Sequence, residues 1–282
     1  MEKISRKSFV KGALGLGAVG ILAGCASSAS STAASASSTA APAEKKEFTF
    51  ADTVRWDAQY DVVVMGMGAA GMVAAKTAAD NGAKVVIVEK CEEGKAGGNT
   101  KVCGQLFAYA NGDKDAAKSY YTALAGGRDI EPEIIDAISE GVANMADILA
   151  DEFGFNKDEY MDWTGVNVGG TNMGAMSPEY PEMPGHEKMA LWTTHAGASD
   201  GYLYQGLKQN VTDRVDAIDV WYSSPAKSLI QDPVTKTVVG VTVERDGKEM
   251  NIRALNGVCI CTGGFECNKE MVQHYLNVIN YA

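Results

Sequence analysis

Three glycines at the spacing Gly66-x-Gly68-x-x-Gly71, with a carboxylate at Glu89, carry the clearest chemistry in this chain. A glycine in the first position allows a tight turn. In the second it lets a pyrophosphate approach bare backbone, and in the third it lets a helix pack closely on a strand. Amides at the start of such a helix, here Ala69, Ala70 and Gly71, present N–H groups and a positive dipole end to an anion. Glu89 stands where a carboxylate can accept both hydroxyls of an adenosine ribose. The elements that must position these groups are legible nearby. Tyr60–Met65 is an apolar, β-branched run of strand length, and Met72–Asp80 is an alanine-rich helix stopped by Asn81-Gly82. Lys84–Val88 is a second buried strand that ends in Glu89. The glycine spacing alone is a weak motif. Strand, helix, second strand and acid around it make this a dinucleotide site.

The chain has 282 residues, 46% of them hydrophobic, enough for one or two domains with a core. Its formal net charge is -11 and it carries no basic stripe, which argues against nucleic acid as a partner. The six cysteines include no Cys-x-x-Cys-His, so this sequence has no c-type haem attachment site.

Residues 1–25 read as an address. Ser5–Lys11 is a charged segment, Gly12–Gly24 is apolar but short for a bilayer span, and Leu22-Ala23-Gly24-Cys25 resembles a bacterial lipobox. The expectation is cleavage before Cys25 and a lipid on its sulfur. The charged segment resembles a twin-arginine signal with Lys7 in place of the second arginine, leaving the twin-arginine and general export routes both open. Residues 26–47 are rich in Ser, Ala and Thr and predict a flexible tether. The expected location is outside the cytoplasm, lipid-anchored on the outer face of a bacterial cell membrane.

Beyond Glu89 and Lys90 the chain carries Gly97-Gly98-Asn99-Thr100 and Gly104-Gln105, a backbone suited to folding against a flat ligand. Asp113–Ala125, Pro132–Glu152 and Asp200–Asp213 read as helices. In the second, Ile134, Ile135, Ile138, Val142, Met145, Ile148 and Leu149 lie at helical spacing and read as core. Asp151–Gly197 reads as irregular, and its His186 and His195 as surface residues. From Ala217 the period changes to two. Ala217–Tyr222, Ala226–Gln231, Val238–Arg245 and Glu249–Ala254 predict a β-meander. Gly257–Cys261 follows as a buried strand closed by Thr262-Gly263-Gly264-Phe265. Cys259 and Cys261 read as small buried residues, with a disulfide or metal site as the alternative.

Three separated motifs then agree. The glycine turn with Glu89, the Gly97-Gly98-Asn99-Thr100 stretch and Cys261-Thr262-Gly263-Gly264-Phe265 together resemble the fumarate reductase/succinate dehydrogenase flavoprotein family, in its soluble exported branch. The resemblance runs from about Tyr60 to Tyr275 and implies FAD. It implies an α/β fold: a Rossmann-like FAD-binding domain over residues 48–268, with a parallel sheet and an inserted β-meander. Residues 269–282 would be the start of a capping domain, with the rest of the cap and a C-terminal flavin segment absent, as in the N-terminal part of a longer protein. By the same resemblance Gly66, Gly68, Ala69, Ala70 and Gly71 would meet the pyrophosphate and Glu89 the ribose, with Lys90 also in the cofactor site. Gly97, Gly98, Asn99, Thr100, Gly104 and Gln105 would line the flavin, and Ala226 would meet the adenine. Thr262, Gly263 and Gly264 would border the dinucleotide from the last strand. Gln105 stands where the family usually has a second glycine.

The reaction so implied is hydride transfer from flavin N5 to the C=C bond of an unsaturated carboxylate or enone, with a proton from a cap arginine. No catalytic residue of that pattern falls in these 282 residues. The implied electron donor is membrane-bound or extracytoplasmic. Two alternatives stand beside this reading. One is a 3-oxosteroid dehydrogenase-like flavoenzyme; the other is a truncated, non-catalytic FAD-binding lipoprotein.

Overall fold

The valine run before the glycine turn lies inside a six-stranded sheet, buried on both faces. The computed structural model describes residues 48–164, 167–168, 171–172, 180–196 and 200–276. Cys25, the address of residues 1–25 and the tether of residues 26–47 lie outside the described residues. In chain order the elements are β1 (Ala58–Met65), α1 (Ala69–Asp80), β2 (Val85–Val88), α2 (Gly98–Val102), β3 (Leu106–Tyr109), α3 (Lys114–Leu124), α4 (Pro132–Ala143) and α5 (Met145–Phe153). Short strands β4 (Met161–Asp162), β5 (Asn167–Val168), β6 (Thr171–Asn172) and β7 (Ala190–Thr193) follow. The remainder is α6 (Tyr202–Thr212), β8 (Ile218–Trp221), β9 (Ala226–Gln231), β10 (Val238–Arg245), β11 (Lys248–Ile260) and α7 (Lys269–Tyr275).

The main sheet has the order β8-β2-β1-β11-β10-β9. Its first four strands are mutually parallel, and β10 and β9 complete it antiparallel. Alternate side chains of β1 and β2 enter two different cores, as the period of two requires. Val64, Val85 and Ile87 pack under α1 and α6, against Met72, Ala75, Leu203, Leu207 and Val211. Val63, Val86 and Val88 face the other way, against Val241, Val243 and Ile252 of the meander. On that side the sheet curls far enough for the Arg245 guanidinium of β10 to lie 4.6 Å from the Trp221 ring of β8.

The register of β1 against β11 decides where the glycine turns emerge. Met65 lies opposite Ile260, and the Cys261 N–H donates to Met65 O at 2.9 Å. The two strands therefore release their glycine turns side by side at the C-terminal ends of the parallel strands.

The structure corrects four sequence expectations. Ala217–Tyr222 is not part of the meander: β8 is a parallel edge strand beside β2, with Val85 opposite Ile218. Glu249–Ala254 and the Gly257–Cys261 stretch are not two strands, since β11 runs through both. Its register against β1 slips between Tyr60 and Val62, a bulge with Gly257 at φ 142°. The expected long helix over Pro132–Glu152 is two helices, broken at Asn144 (φ −107°, ψ 11°), whose side chain donates to Glu140 O. Ile134 and Ile138 are exposed at 51% and 41%, because α4 buries Ile135, Ser139 and Ala143 instead. That stripe of smaller residues lets α4 lie close to its neighbours.

The stretch read as irregular also contains structure. β7 pairs with β3 and β4 in a second, antiparallel sheet of three strands, with Leu106 opposite Thr193. Among the described residues no helix is long and apolar enough to cross a membrane.

Candidate functional site

The glycine turn is built as its spacing demands. Gly66 sits at φ 98°, in the left-handed region, and a Cβ there would stand 2.5 Å from Cys261 O. A Cβ on Gly71 would stand 1.9 Å from Gly66 O. Both glycines are thus required by the protein's own backbone. Gly68 is different: a Cβ there would meet nothing closer than Thr100 Oγ1, at 3.7 Å. No internal contact demands glycine at 68, so its bareness serves whatever lies outside. Gly68 is the N-cap of α1 and offers no side chain to the helix. The amides of Ala70 and Gly71 behind it find no acceptor among the described residues. A bare cap with free first-turn amides fits an anionic phosphate.

Glu89 is buried at the end of β2, and its two oxygens are already oriented. Oε2 accepts the Met67 N–H and Oε1 the Cys91 N–H, both at 2.8 Å. Its backbone is fixed as well, with Glu89 N–H donating to Trp221 O and Ser224 N–H donating to Glu89 O. That second bond brings Ala226, first residue of β9, to within two residues of the Glu89 contact. Lys90 is exposed beside it. The Tyr222 hydroxyl is pushed up to about 12 by burial, then by the nearby Glu93, Tyr204 and Glu89. The Cys91 thiol is raised by burial and then by Glu89.

The second motif is carried by α2 and the turn after it. Gly97 (φ 121°) and Gly98 (φ 53°) are both left-handed. The Gly97 position is closed by Tyr204, whose ring would be 2.4 Å from a Cβ there and whose hydroxyl donates to Ala96 O at 3.0 Å. Thr100 reaches the first motif directly, because its Oγ1 accepts the Ala69 N–H at 2.9 Å. Since that hydroxyl accepts from the helix, its own O–H is left to donate elsewhere. Gly104 is half-buried and Gln105 fully buried, the latter with its side chain turned into the protein.

The third motif meets the other two. Gly66 packs under the Cys261 carbonyl, and Asn99 Nδ2 donates to Glu266 Oε1 at 3.2 Å. Thr262, Gly263 and Gly264 are exposed, and a Cβ on Gly263 (φ 77°) would meet nothing within 4 Å. A Cβ on Gly264 would press on the Glu266 carboxylate at 2.3 Å. Stretches around residues 66–71, 97–105 and 261–266 thus meet beyond the C-terminal ends of the parallel strands.

Sequence reading missed the groups that hold this assembly together: the Met67 and Cys91 amides, Tyr204 and Glu266. A buried Tyr204 and a left-handed Gly97 leave no local signature of their contact. His195 lies elsewhere in role: its Nε2 meets Asp200 Oδ2 at 2.7 Å and its ring stacks on Tyr202. His186 contacts Met183 O through Nδ1. The described cysteines, Cys91, Cys103, Cys259, Cys261 and Cys267, are free thiols. Burial raises the pKa of Cys259 and Cys261, with Cys259 adding to the second. Among the described residues no three His, Cys, Asp or Glu side chains gather as metal ligands would. Two surface clefts, one between α5 and α6 and one at Asn111–Asp115, share no residue with the three motifs.

A bare helix cap, an acid at the second strand end and a third glycine turn beside the first define a dinucleotide-binding fold. The profile of the FAD binding domain matches residues 61–282, and the chain belongs to that family. It is 30% identical to the NADH:fumarate oxidoreductase of Klebsiella pneumoniae (strain 342), over 77% of this chain and 22% of that protein. It is 26% identical to the 3-oxosteroid 1-dehydrogenase of Comamonas testosteroni, over 78% of this chain and 49% of that protein. The chain therefore spans less than half the length of these relatives. The crystal structure of 3-ketosteroid delta1-dehydrogenase from Sterolibacterium denitrificans superposes with a TM-score of 0.63 at 20% identity, over 77% of this chain and 50% of that one. That likeness shows the fold.

Proposed function

We propose that this chain is the FAD-holding part of an oxidoreductase that reduces the C=C bond of an unsaturated carboxylate or enone. One observation carries the reading: three glycine-rich stretches far apart in sequence meet at the C-terminal ends of the parallel strands, linked by Cys261 O over Gly66, Thr100 on Ala69 and Asn99 on Glu266. In this reading Gly68, Ala69, Ala70 and Gly71 face the pyrophosphate, with Gly66 shaping the turn. Glu89 takes the ribose hydroxyls with Lys90 beside it, and Ala226 offers main chain to the adenine. Gly97, Gly98, Asn99, Thr100, Gly104 and Gln105 form the flavin side, and Thr262, Gly263 and Gly264 close it from the last strand. Bound FAD would supply the hydride chemistry; these residues would bind it and orient it.

The purified chain is expected to quench added FAD fluorescence in a saturable titration and to leave NAD unbound. In a protein that joins these residues to the implied capping domain, bound FAD reduced chemically and mixed without oxygen with fumarate or another α,β-unsaturated acid should regain its oxidised visible spectrum, whereas these 282 residues alone should bind FAD without turnover. A saturated acid should have no effect. Failure of this chain to bind FAD sinks the whole reading, whereas bound FAD in the capped protein that no unsaturated acid or enone reoxidises sinks only the reaction. The 3-oxosteroid 1-dehydrogenase relative supports a second reading, steroid dehydrogenation. In that case a saturated 3-oxosteroid would bleach the oxidised flavin.

The same proposal places the protein on the outer face of the cell membrane, held by a lipid on Cys25, with electrons arriving from a membrane or extracytoplasmic donor. The lipobox-like Leu22-Ala23-Gly24-Cys25 and the tether behind it support this. Cys25→Ser should move the protein from the membrane pellet to the soluble fraction and abolish labelling by a radioactive fatty acid. A variant that still sediments and still takes label removes the anchor from the reading.

A further inference from the structure

We infer that Gln105 is a positioning residue for FAD: its side-chain amide locks the flavin-facing turn of residues 97–105 to α6. The inference rests on the FAD site proposed above. Gln105 is only 1% exposed and sits at φ 61°, a left-handed conformation that a residue with a side chain adopts at a cost. Glycine would take this backbone without strain, so the side chain must contribute something that offsets it.

What it contributes is a set of hydrogen bonds, three of them to backbone and a fourth, longer one to Cys103 Sγ at 3.5 Å. Nε2 donates to Thr100 O at 2.8 Å and to Cys103 O at 3.1 Å. Oε1 accepts the Tyr204 N–H at 3.2 Å. Thr100 belongs to the last turns of α2 and Cys103 is its C-cap, where carbonyls lack intrahelical partners. Tyr204 lies in the first turn of α6, where amides lack them too, and the Gly201 cap of that helix has no side chain to help. One primary amide, with two donors and an acceptor, serves both helix ends at once. No other uncharged side chain of that length offers both functions.

The bonds continue beyond Gln105. Thr100, held through its carbonyl by Gln105, is the residue whose hydroxyl accepts the Ala69 N–H of α1. Tyr204, held through its amide, is the residue whose ring covers Gly97 and whose hydroxyl bonds Ala96 O. A line of contacts therefore runs from the phosphate-facing end of α1 through Thr100 and Gln105 into α6, and returns through Tyr204 to the start of the second motif. Cutting it at Gln105 frees the turn that carries Asn99, Thr100 and Gly104 from its support.

Two substitutions in the full chain test this. Gln105→Gly keeps the backbone conformation and removes the amide. It should raise the FAD dissociation constant about tenfold or more. Gln105→Glu makes the amide's role titratable. Protonated, the acid has one O–H for Thr100 O and one carbonyl for the Tyr204 N–H. Ionised, it sets a charge against two carbonyl oxygens, which raises its pKa. FAD binding by Gln105→Glu should therefore be strong at low pH and fall as pH rises through that pKa, while the wild type is flat over the same range. Tight binding by Gln105→Gly, or a pH-independent Gln105→Glu, overturns the inference. If Gln105→Gly fails to fold, the titration of Gln105→Glu decides within one protein. Loss of FAD binding in the wild type would instead remove the proposed site itself.

Discussion

Gly71→Ala is expected to abolish FAD binding and to lower the thermal midpoint by about 6–12 °C. The added methyl would stand 1.9 Å from Gly66 O, a backbone atom that cannot rotate away. Overpacking that side chains can absorb costs ~1–3 kcal/mol. Here α1 must move off β1, so the cost lies at the upper end, about 3 kcal/mol. A domain of this size loses about 2–4 °C for each kcal/mol. The retreat of α1 also carries its first-turn amides away from Gly68, and with them the anion site. Thermal unfolding followed by circular dichroism, with FAD titration on the same sample, checks both halves. An alanine variant that binds FAD and melts like the wild type would show that the strand–helix approach is looser than the structure describes.

Glu89→Ala should weaken FAD at least ~100-fold, for two separate reasons. The acid holds the Met67 and Cys91 amides at 2.8 Å each, and Met67 is fully buried. Leaving a buried amide without an acceptor costs ~1–3 kcal/mol. The ligand also loses charge-assisted bonds worth ~1.5–3 kcal/mol each, and ~1.4 kcal/mol is tenfold in affinity. Glu89→Gln is expected to be nearly as damaging. A carboxamide has one acceptor oxygen, so its NH2 must face either the Met67 or the Cys91 N–H, donor against donor. Fluorescence titration separates the outcomes. A glutamine variant with wild-type affinity would mean that only hydrogen-bond geometry, and not an acceptor on both sides, is required at this position.

What the sequence made legible was local. Strand, glycine turn, helix, strand and acid lie within thirty residues, and each step has a steric reason that one side chain can reveal. Gly66 and Gly71 are glycines because their neighbours are backbone, and the spacing alone tells as much. The convergence of the three motifs is of another kind. It depends on β11 pairing with β1 in the register that puts Ile260 beside Met65, and only family likeness pointed there. Periodicity misplaced the buried face of α4 because Ile134 and Ile135 are adjacent and either could lead the stripe. The β3–β7–β4 sheet went unread because Leu-Phe-Ala-Tyr and Ala-Leu-Trp-Thr are four-residue strands without apolar–polar alternation. Tyr204 carries no local mark at all, since its work is done on Ala96 and Gly97, about a hundred positions away.

The long pairing of β1 with β11 also governs when the site can exist during synthesis. Until the ribosome has extruded Ile260, β1 has β2 on one flank and a bare edge on the other, its partner still some two hundred residues downstream. Gly66 has no carbonyl ceiling over it in that interval, and the cofactor meets a half-walled trough. Nascent chains are therefore open to β-edge aggregation until β11 arrives, and flavin loading has to wait for the same event.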